Sequence, residues 1–271
     1  MTVKEAFLES IRALKGISDE YYLESLILLS YILNTSKEKV YLKESESLNE
    51  SQIELFKTSL EKLKNKYPLP YLIKRKEFMG LDFYVDEGVL IPRPETETLV
   101  ELAIEYGCKM ENFLDIGCGS GVIVLSILYY CKSLKGHAID ISSDAIKITK
   151  LNAGRLKVSD RLELTLGDFR DFNLDIKFDF IVSNPPYVRK SNLKNLFYEP
   201  LIALDGGDDG FEIYPDLIKK SVRLLKNDGF VIFEIDPSIR DKVLIEMRKY
   251  FKKVTIIKDL AQFDRFVIGR F

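Results

Sequence analysis

The chain has 271 residues, 46% of them hydrophobic and 30% charged, and its 40 basic and 42 acidic side chains leave a formal net charge of −2. That is the composition of an ordinary globular protein with ample surface to bury, and the balance of charge argues against a surface built chiefly to neutralise nucleic-acid phosphates. The longest apolar runs, such as 26–33, stop well short of the ~20 residues that span a bilayer, and the N-terminus lacks an apolar core followed by a small-residue cleavage site; neither a membrane anchor nor export is expected.

From Thr2 to about Lys66 apolar residues recur at spacings of three and four (Val3, Ala6, Phe7, Ile11, Leu14; Tyr22, Leu26, Leu29, Leu33; Ile53, Phe56, Leu60, Leu63), with Ser18, Ser36 and Asn49 or Ser51 where helix caps are expected. The pattern predicts a small all-helical domain over 1–70, with aromatic residues such as Phe7, Tyr22 and Phe56 in its core. Lys66-Tyr67-Pro68-Leu69-Pro70 then breaks the last helix, and 71–86 reads as a hinge and a β-hairpin turning at Gly80. Cys108, Cys118 and Cys131 show neither a paired framework nor metal-ligand spacing, so reduced thiols, a cytoplasmic location and no metal are expected.

Beyond Glu95 helices and apolar strands alternate. Helices are predicted over 95–106, 121–130, 144–156, 214–226 and 239–250, and strands over 112–116, 136–140, 162–166, 178–184 and 230–235, with two more near 254–257 and 265–269. Alternation of this kind implies an α/β fold with a mostly parallel, doubly wound sheet covered on both faces, here over 87–271. His137, the only histidine, sits within a strand and reads as a packing residue.

Leu114-Asp115-Ile116-Gly117-Cys118-Gly119-Ser120-Gly121 joins the first of these strands to its helix. Glycines there let backbone approach a ligand, and helical N–H groups face an anion. The dinucleotide fingerprint needs Gly or Ala five residues after Gly117, where Val122 stands. The spacing, with Asp115 ahead of it, resembles instead the class I methyltransferases that bind S-adenosyl-L-methionine, a Rossmann-like fold. An aspartate and a helix N-terminus suit the ammonium and carboxylate of that cofactor. Asp140, ending the next strand, suits ribose hydroxyls; Gly167-Asp168-Phe169, after the third, offers an acceptor for an adenine amino group and a ring to pack on the base.

The strand over 178–183 runs into Asn184-Pro185-Pro186-Tyr187. Two prolines cannot continue a sheet, but they fix the backbone carbonyls beside them. The Asn184 side-chain carbonyl and the Pro185 backbone carbonyl can accept both N–H bonds of an amino group and aim its nitrogen at a methyl donor, while Tyr187 supplies a flat ring for stacking. The motif serves adenine-amino methyltransferases and glutamine-amide methyltransferases alike, so it names only a class of nucleophile.

Gly88-Val89-Leu90-Ile91-Pro92-Arg93-Pro94-Glu95-Thr96-Glu97, Glu199-Pro200 and Ala203-Leu204-Asp205-Gly206-Gly207-Asp208-Asp209-Gly210 narrow the choice. With them the chain resembles the HemK/PrmC family, the methyltransferases of the glutamine in the Gly-Gly-Gln loop of class one peptide-chain release factors, along essentially its whole length. The resemblance implies that Gly117 to Gly121, Asp140, Phe169 and Asn184 contact the cofactor, and that Asn184 to Tyr187 hold the glutamine amide. It further implies that Arg93, Pro94, Glu95 and Thr96 border the pocket and that the helical domain docks the release factor. An amino methyltransferase of adenine in DNA, or of RNA, using the same clamp on a flipped base is the alternative. Two segments depart from the family pattern: 73–78 lacks the usual glycine, and Glu234-Ile235-Asp236-Pro237 stands where the family has Glu-Ile-Gly.

Overall fold

Helix α1 (Val3–Leu14) starts at a reciprocal cap: Thr2 Oγ1 accepts from Glu5 N–H at 3.2 Å, and the Glu5 carboxylate accepts from Thr2 N–H at 2.8 Å. This computed structural model describes residues 1–172, 176–195 and 198–271. They divide into two units, Met1–Arg75 and Lys76–Phe271.

In the first unit α1 is followed by α2 (Tyr21–Ile32), α3 (Lys37–Leu42), α4 (Glu50–Lys64) and α5 (Leu69–Ile73). Asn49 caps α4 with a second reciprocal box to Gln52, whereas the Ser36 side chain makes no cap bond to the backbone of α3. Ser18 does not cap a helix: α2 begins at Tyr21 after Glu20, and Ser18 Oγ accepts from Glu20 N–H in the preceding turn. Val3, Ala6, Leu28, Leu29 and Phe56 form the core. Tyr22 departs from expectation. It is 50% exposed, with its ring edge-on to Phe7 and its hydroxyl sharing a hydrogen bond with that of Tyr41; the phenol is satisfied at the surface, where burial would have required another partner.

The second unit opens with the hairpin β1 (Lys76–Phe78) and β2 (Leu81–Phe83), which turns through Met79 and Gly80, both at positive φ. There follow α6 (Thr96–Gly107), β3 (Asn112–Ile116), α7 (Val122–Tyr130), β4 (Lys135–Asp140), α8 (Ser143–Leu156), β5 (Leu162–Leu166), β6 (Phe178–Ser183), α9 (Tyr214–Leu224), β7 (Leu225–Glu234), α10 (Arg240–Met247), β8 (Lys253–Lys258) and β9 (Asp264–Arg270). Among the described residues the strands order as β5-β4-β3-β6-β7-β9-β8, parallel from β5 to β7 and antiparallel at β9. One face carries Leu99, Val100, Val124, Leu128 and Ala153 of α6 to α8; the other carries Leu217, Ile218, Val243 and Met247 of α9 and α10. Phe113, Phe180 and Phe230 stack face to face across β3, β6 and β7, with centroids 4.9 and 5.1 Å apart. β7 begins at Leu225 rather than Phe230, because an irregularity opposite Phe178 and Phe180 lets Leu225 pair with Phe178.

The cysteines require a correction. Cys108 and Cys131 form a disulfide, and only Cys118 is a free, buried thiol. Cys108 closes α6 and Cys131 closes α7, and packing these neighbouring helices side by side brings the two Cα atoms to 5.2 Å, within disulfide reach. His137 packs its ring edge on Phe172 and Phe178, and its Nε2 also lies 2.6 Å from Glu163 Oε2.

Candidate functional site

The chain enters the sheet at β3, winds outward to β4 and β5, then returns to β6 beside β3 before winding the other way. Ligands of open α/β sheets bind at such a reversal, outside the carboxyl ends of the strands. The loops that leave β3 and β6 there are 117–121 and 184–187. Their residues 117–120 and 184–186 line one cavity of about 300 Å³.

Gly117, Gly119 and Gly121 all have positive φ, and a Cβ on Gly117 or Gly119 would meet nothing within 4 Å, so backbone is open there to a ligand. The loop is tied down from beneath: Gly119 N–H donates to Asp140 Oδ2 at 2.9 Å, and Thr149 Oγ1 of α8 donates to Gly119 O at 3.0 Å. Asn152 Nδ2 donates to Ser120 O at 2.9 Å. Asp115 is wholly buried under the loop. Its Oδ2 accepts from Val124 N–H at 3.2 Å, its Oδ1 has no partner, and burial raises its pKa to about 8.

Asp140 lines the cavity and also accepts from Ser142 N–H at 2.9 Å; burial raises its pKa, against the pull of these amide bonds. Asp168 and Phe169 line the same cavity after β5. The Arg170 guanidinium chelates the Asp168 carboxylate and lowers its pKa.

On the opposite wall, Asn184 Nδ2 donates to Thr96 Oγ1 at 3.1 Å, and Thr96 donates to Glu234 Oε2 at 2.8 Å. Tyr187 Oη donates to Glu234 Oε1 at 3.0 Å. Glu234, the last residue of β7, is 1% exposed, and burial raises its pKa; burial and the Glu234 charge raise that of Tyr187. Pro185 and Pro186 line the cavity beside Asn184. The segment 205–210 wraps this turn closely. A Cβ on Gly206 would stand 2.6 Å from Tyr187 Cα, and one on Gly210 2.5 Å from Tyr187 O, distances only glycine permits.

A loop from Gly88 to Arg93 completes the wall, held by Glu199, which accepts from Ile91 N–H at 2.9 Å and from Arg93 Nη2 at 2.6 Å. Of the residues singled out in the sequence, Arg93, Thr96, Gly117 to Ser120, Asp140, Asp168, Phe169 and Asn184 to Pro186 line the cavity. Asp115 and Gly121 lie behind it, the Tyr187 hydroxyl is turned to Glu234, and Pro94 and Glu95 are exposed ahead of α6. Asp236 and Pro237 do not line it; Asp236 caps the short turn 237–239 through Ser238 N–H. Thr149, Asn152 and Arg170 carried no sequence signal, since a threonine, an asparagine and an arginine on helices or loops look the same whether or not they brace a site.

Comparisons with known proteins agree with this architecture. Residues 95–267 match the family description "Methyltransferase small domain" and residues 5–73 match "PrmC N-terminal domain". The Clostridium acetobutylicum release factor glutamine methyltransferase is 37% identical, covering 99% of this chain and 98% of that protein. The Aquifex aeolicus protein of the same name is 37% identical over 95% and 94%. The crystal structure of ribosomal protein L11 methylase from Lactobacillus delbrueckii subsp. bulgaricus, 23% identical, superposes with a TM-score of 0.51 over 69% of this chain and 83% of that one, a likeness of fold. With both domains matched and relatives similar from end to end, the chain belongs to the release factor glutamine methyltransferase family.

Proposed function

We propose that the chain transfers a methyl group from S-adenosyl-L-methionine to the side-chain amide nitrogen of the glutamine in the Gly-Gly-Gln loop of class one release factors; the name of its relatives, release factor glutamine methyltransferase, supports a release factor glutamine as the acceptor. When bound, the cofactor supplies a methyl carbon made electrophilic by its sulfonium. The residues present suit it: open glycine backbone for the methionine end, the buried and half-satisfied Asp115 carboxyl to favour an ammonium, Asp140 for ribose hydroxyls, and Asp168 with Phe169 for adenine.

The observation that carries the reading is that Asn184 and Pro185 line the same cavity as that glycine loop. An amide nitrogen is a weak nucleophile because its lone pair is delocalised, so rate is gained by orientation and by contacts that strengthen as charge develops. Asn184 Oδ1 and the Pro185 carbonyl accept the two N–H bonds of the glutamine amide and hold its nitrogen face toward the methyl donor. The prolines set these acceptors before substrate arrives, so little order is lost on binding. Arg93 and Glu199 hold the loop bordering the entrance, and the helical unit docks the release factor. Among the described residues no helix is long and apolar enough to cross a membrane; acting on release factors places the enzyme in the cytoplasm.

Incubation with labelled S-adenosyl-L-methionine and either a release factor, its Gln→Ala loop variant, or unmethylated DNA tests this. Label on the intact factor alone is expected; label on DNA and none on the factor refutes it in favour of the adenine alternative.

A further inference from the structure

To accept a substrate N–H, the Asn184 amide must face the cavity with oxygen rather than nitrogen, and the two ends of an amide are nearly equal in shape. Something must choose between them. Asn184 Nδ2 lies 3.1 Å from Thr96 Oγ1, but a hydroxyl can donate as well as accept, so Thr96 alone would tolerate either end. The choice is made one bond further back. Glu234 Oε2 lies 2.8 Å from Thr96 Oγ1 and Glu234 Oε1 lies 3.0 Å from Tyr187 Oη. A carboxylate has no proton to give, so both hydroxyls must donate to it. Thr96, its one proton committed, can then only accept, and the Asn184 amide must turn its NH₂ toward Thr96. The carbonyl is left for the cavity.

We propose that Glu234 is a positioning residue: through Thr96 it fixes which end of the Asn184 amide meets the substrate, and through Tyr187 it anchors the far end of the same turn. The proposal rests on the amide-holding role given above to Asn184. A carboxylate buried to 1% exposure at the end of a central strand is costly, and its two neutral hydroxyl partners sit on the two segments that frame the substrate, α6 and 184–187. Arg265 on β9 lies near enough to favour its charge, and Glu95 near enough to oppose it. If Glu234 became an amide, it could donate to Thr96, the hydroxyl could turn its proton toward Asn184, and the amide could flip to face an incoming N–H with N–H.

Single-turnover methyl transfer to the release factor is measured for Glu234→Gln, Thr96→Val and Thr96→Ser, and for the first two combined with Asn184→Ala. Glu234→Gln and Thr96→Val are each expected to slow transfer on the order of 10-fold or more, with cofactor affinity by calorimetry and melting temperature near wild type. Thr96→Ser should recover most of what Thr96→Val loses. Because both act through Asn184, each double variant should be no slower than Asn184→Ala within about threefold. Rates near wild type for both single variants, or losses in the double variants that multiply, overturn the proposal. A wild-type protein that labels no release factor refutes the function and not this inference, which the Asn184 side-chain NH₂ signals in the ligand-free ¹⁵N spectrum then decide. Identified by their loss in Asn184→Ala, they should move in Glu234→Gln and Thr96→Val and stay in Thr96→Ser. Unmoved signals in the first two overturn it.

Discussion

Asp115 on β3 and Asn184, just past the end of the neighbouring strand β6, illustrate two uses of a polar side chain. In the proposed reaction Asn184 works by geometry. Replacing it with alanine removes one preorganised acceptor, so single-turnover transfer should fall on the order of 10² to 10³-fold while cofactor affinity, measured by calorimetry, changes far less. Asp115 is assigned to the ammonium of the cofactor, and the ligand-free protein bears the cost of burying its carboxyl. Its pKa is raised to about 8 by burial, above the ~3.9 of an unfolded chain, so between these values the native state holds a proton that the unfolded state has released. Stability from this group therefore falls as pH rises from about 4 to about 8. Asp115→Asn should flatten that dependence and melt higher than wild type at pH 8 without ligand, and it should bind a cationic cofactor more weakly. A melting profile parallel to wild type across that range would contradict the assignment.

At the scale of elements, the strands and helices of the second unit were legible because parallel strands buried on both faces are short apolar runs bounded by turn residues, as at 112–116 and 178–183. The glycine loop and the Asn-Pro-Pro-Tyr turn were legible too, since each breaks the pattern of the strand before it. The partnership of Thr96, Asn184, Tyr187 and Glu234 was not: it joins α6, β6 and β7, and no local spacing connects them. The Cys108–Cys131 bond escaped notice for the same reason, because it depends on how the ends of α6 and α7 pack. That bond closes a loop with a sequence separation of 23, for which chain-entropy arguments give about 3 kcal/mol to the oxidised form over the dithiol. Urea denaturation with and without dithiothreitol should show that difference in wild type, and Cys108→Ser should match the reduced protein in both.

The whole molecule divides into two units, Met1–Arg75 and Lys76–Phe271. Every residue assigned here to cofactor, clamp or bracing network falls in the second. A chain of 76–271 should therefore bind S-adenosyl-L-methionine with little change in Kd and methylate a short Gly-Gly-Gln peptide at a rate near that of the full chain. Toward an intact release factor its kcat/KM should drop markedly, since docking is assigned to the helical unit. Equal loss on peptide and factor would mean that the helical unit instead supports the fold of the catalytic one.

β3 and β6 are hydrogen-bonded neighbours in register, Asp115 beside Val182, and from their tips spring the loop assigned to the methyl donor and the turn assigned to its acceptor. Neighbouring strands sit about 4.8 Å apart, so the span between the two reactants is ruled by the pitch of the sheet itself. The gauge of the proposed reaction is then cut into the hydrogen-bonded ladder that joins β3 to β6, beneath the loops that carry its chemistry.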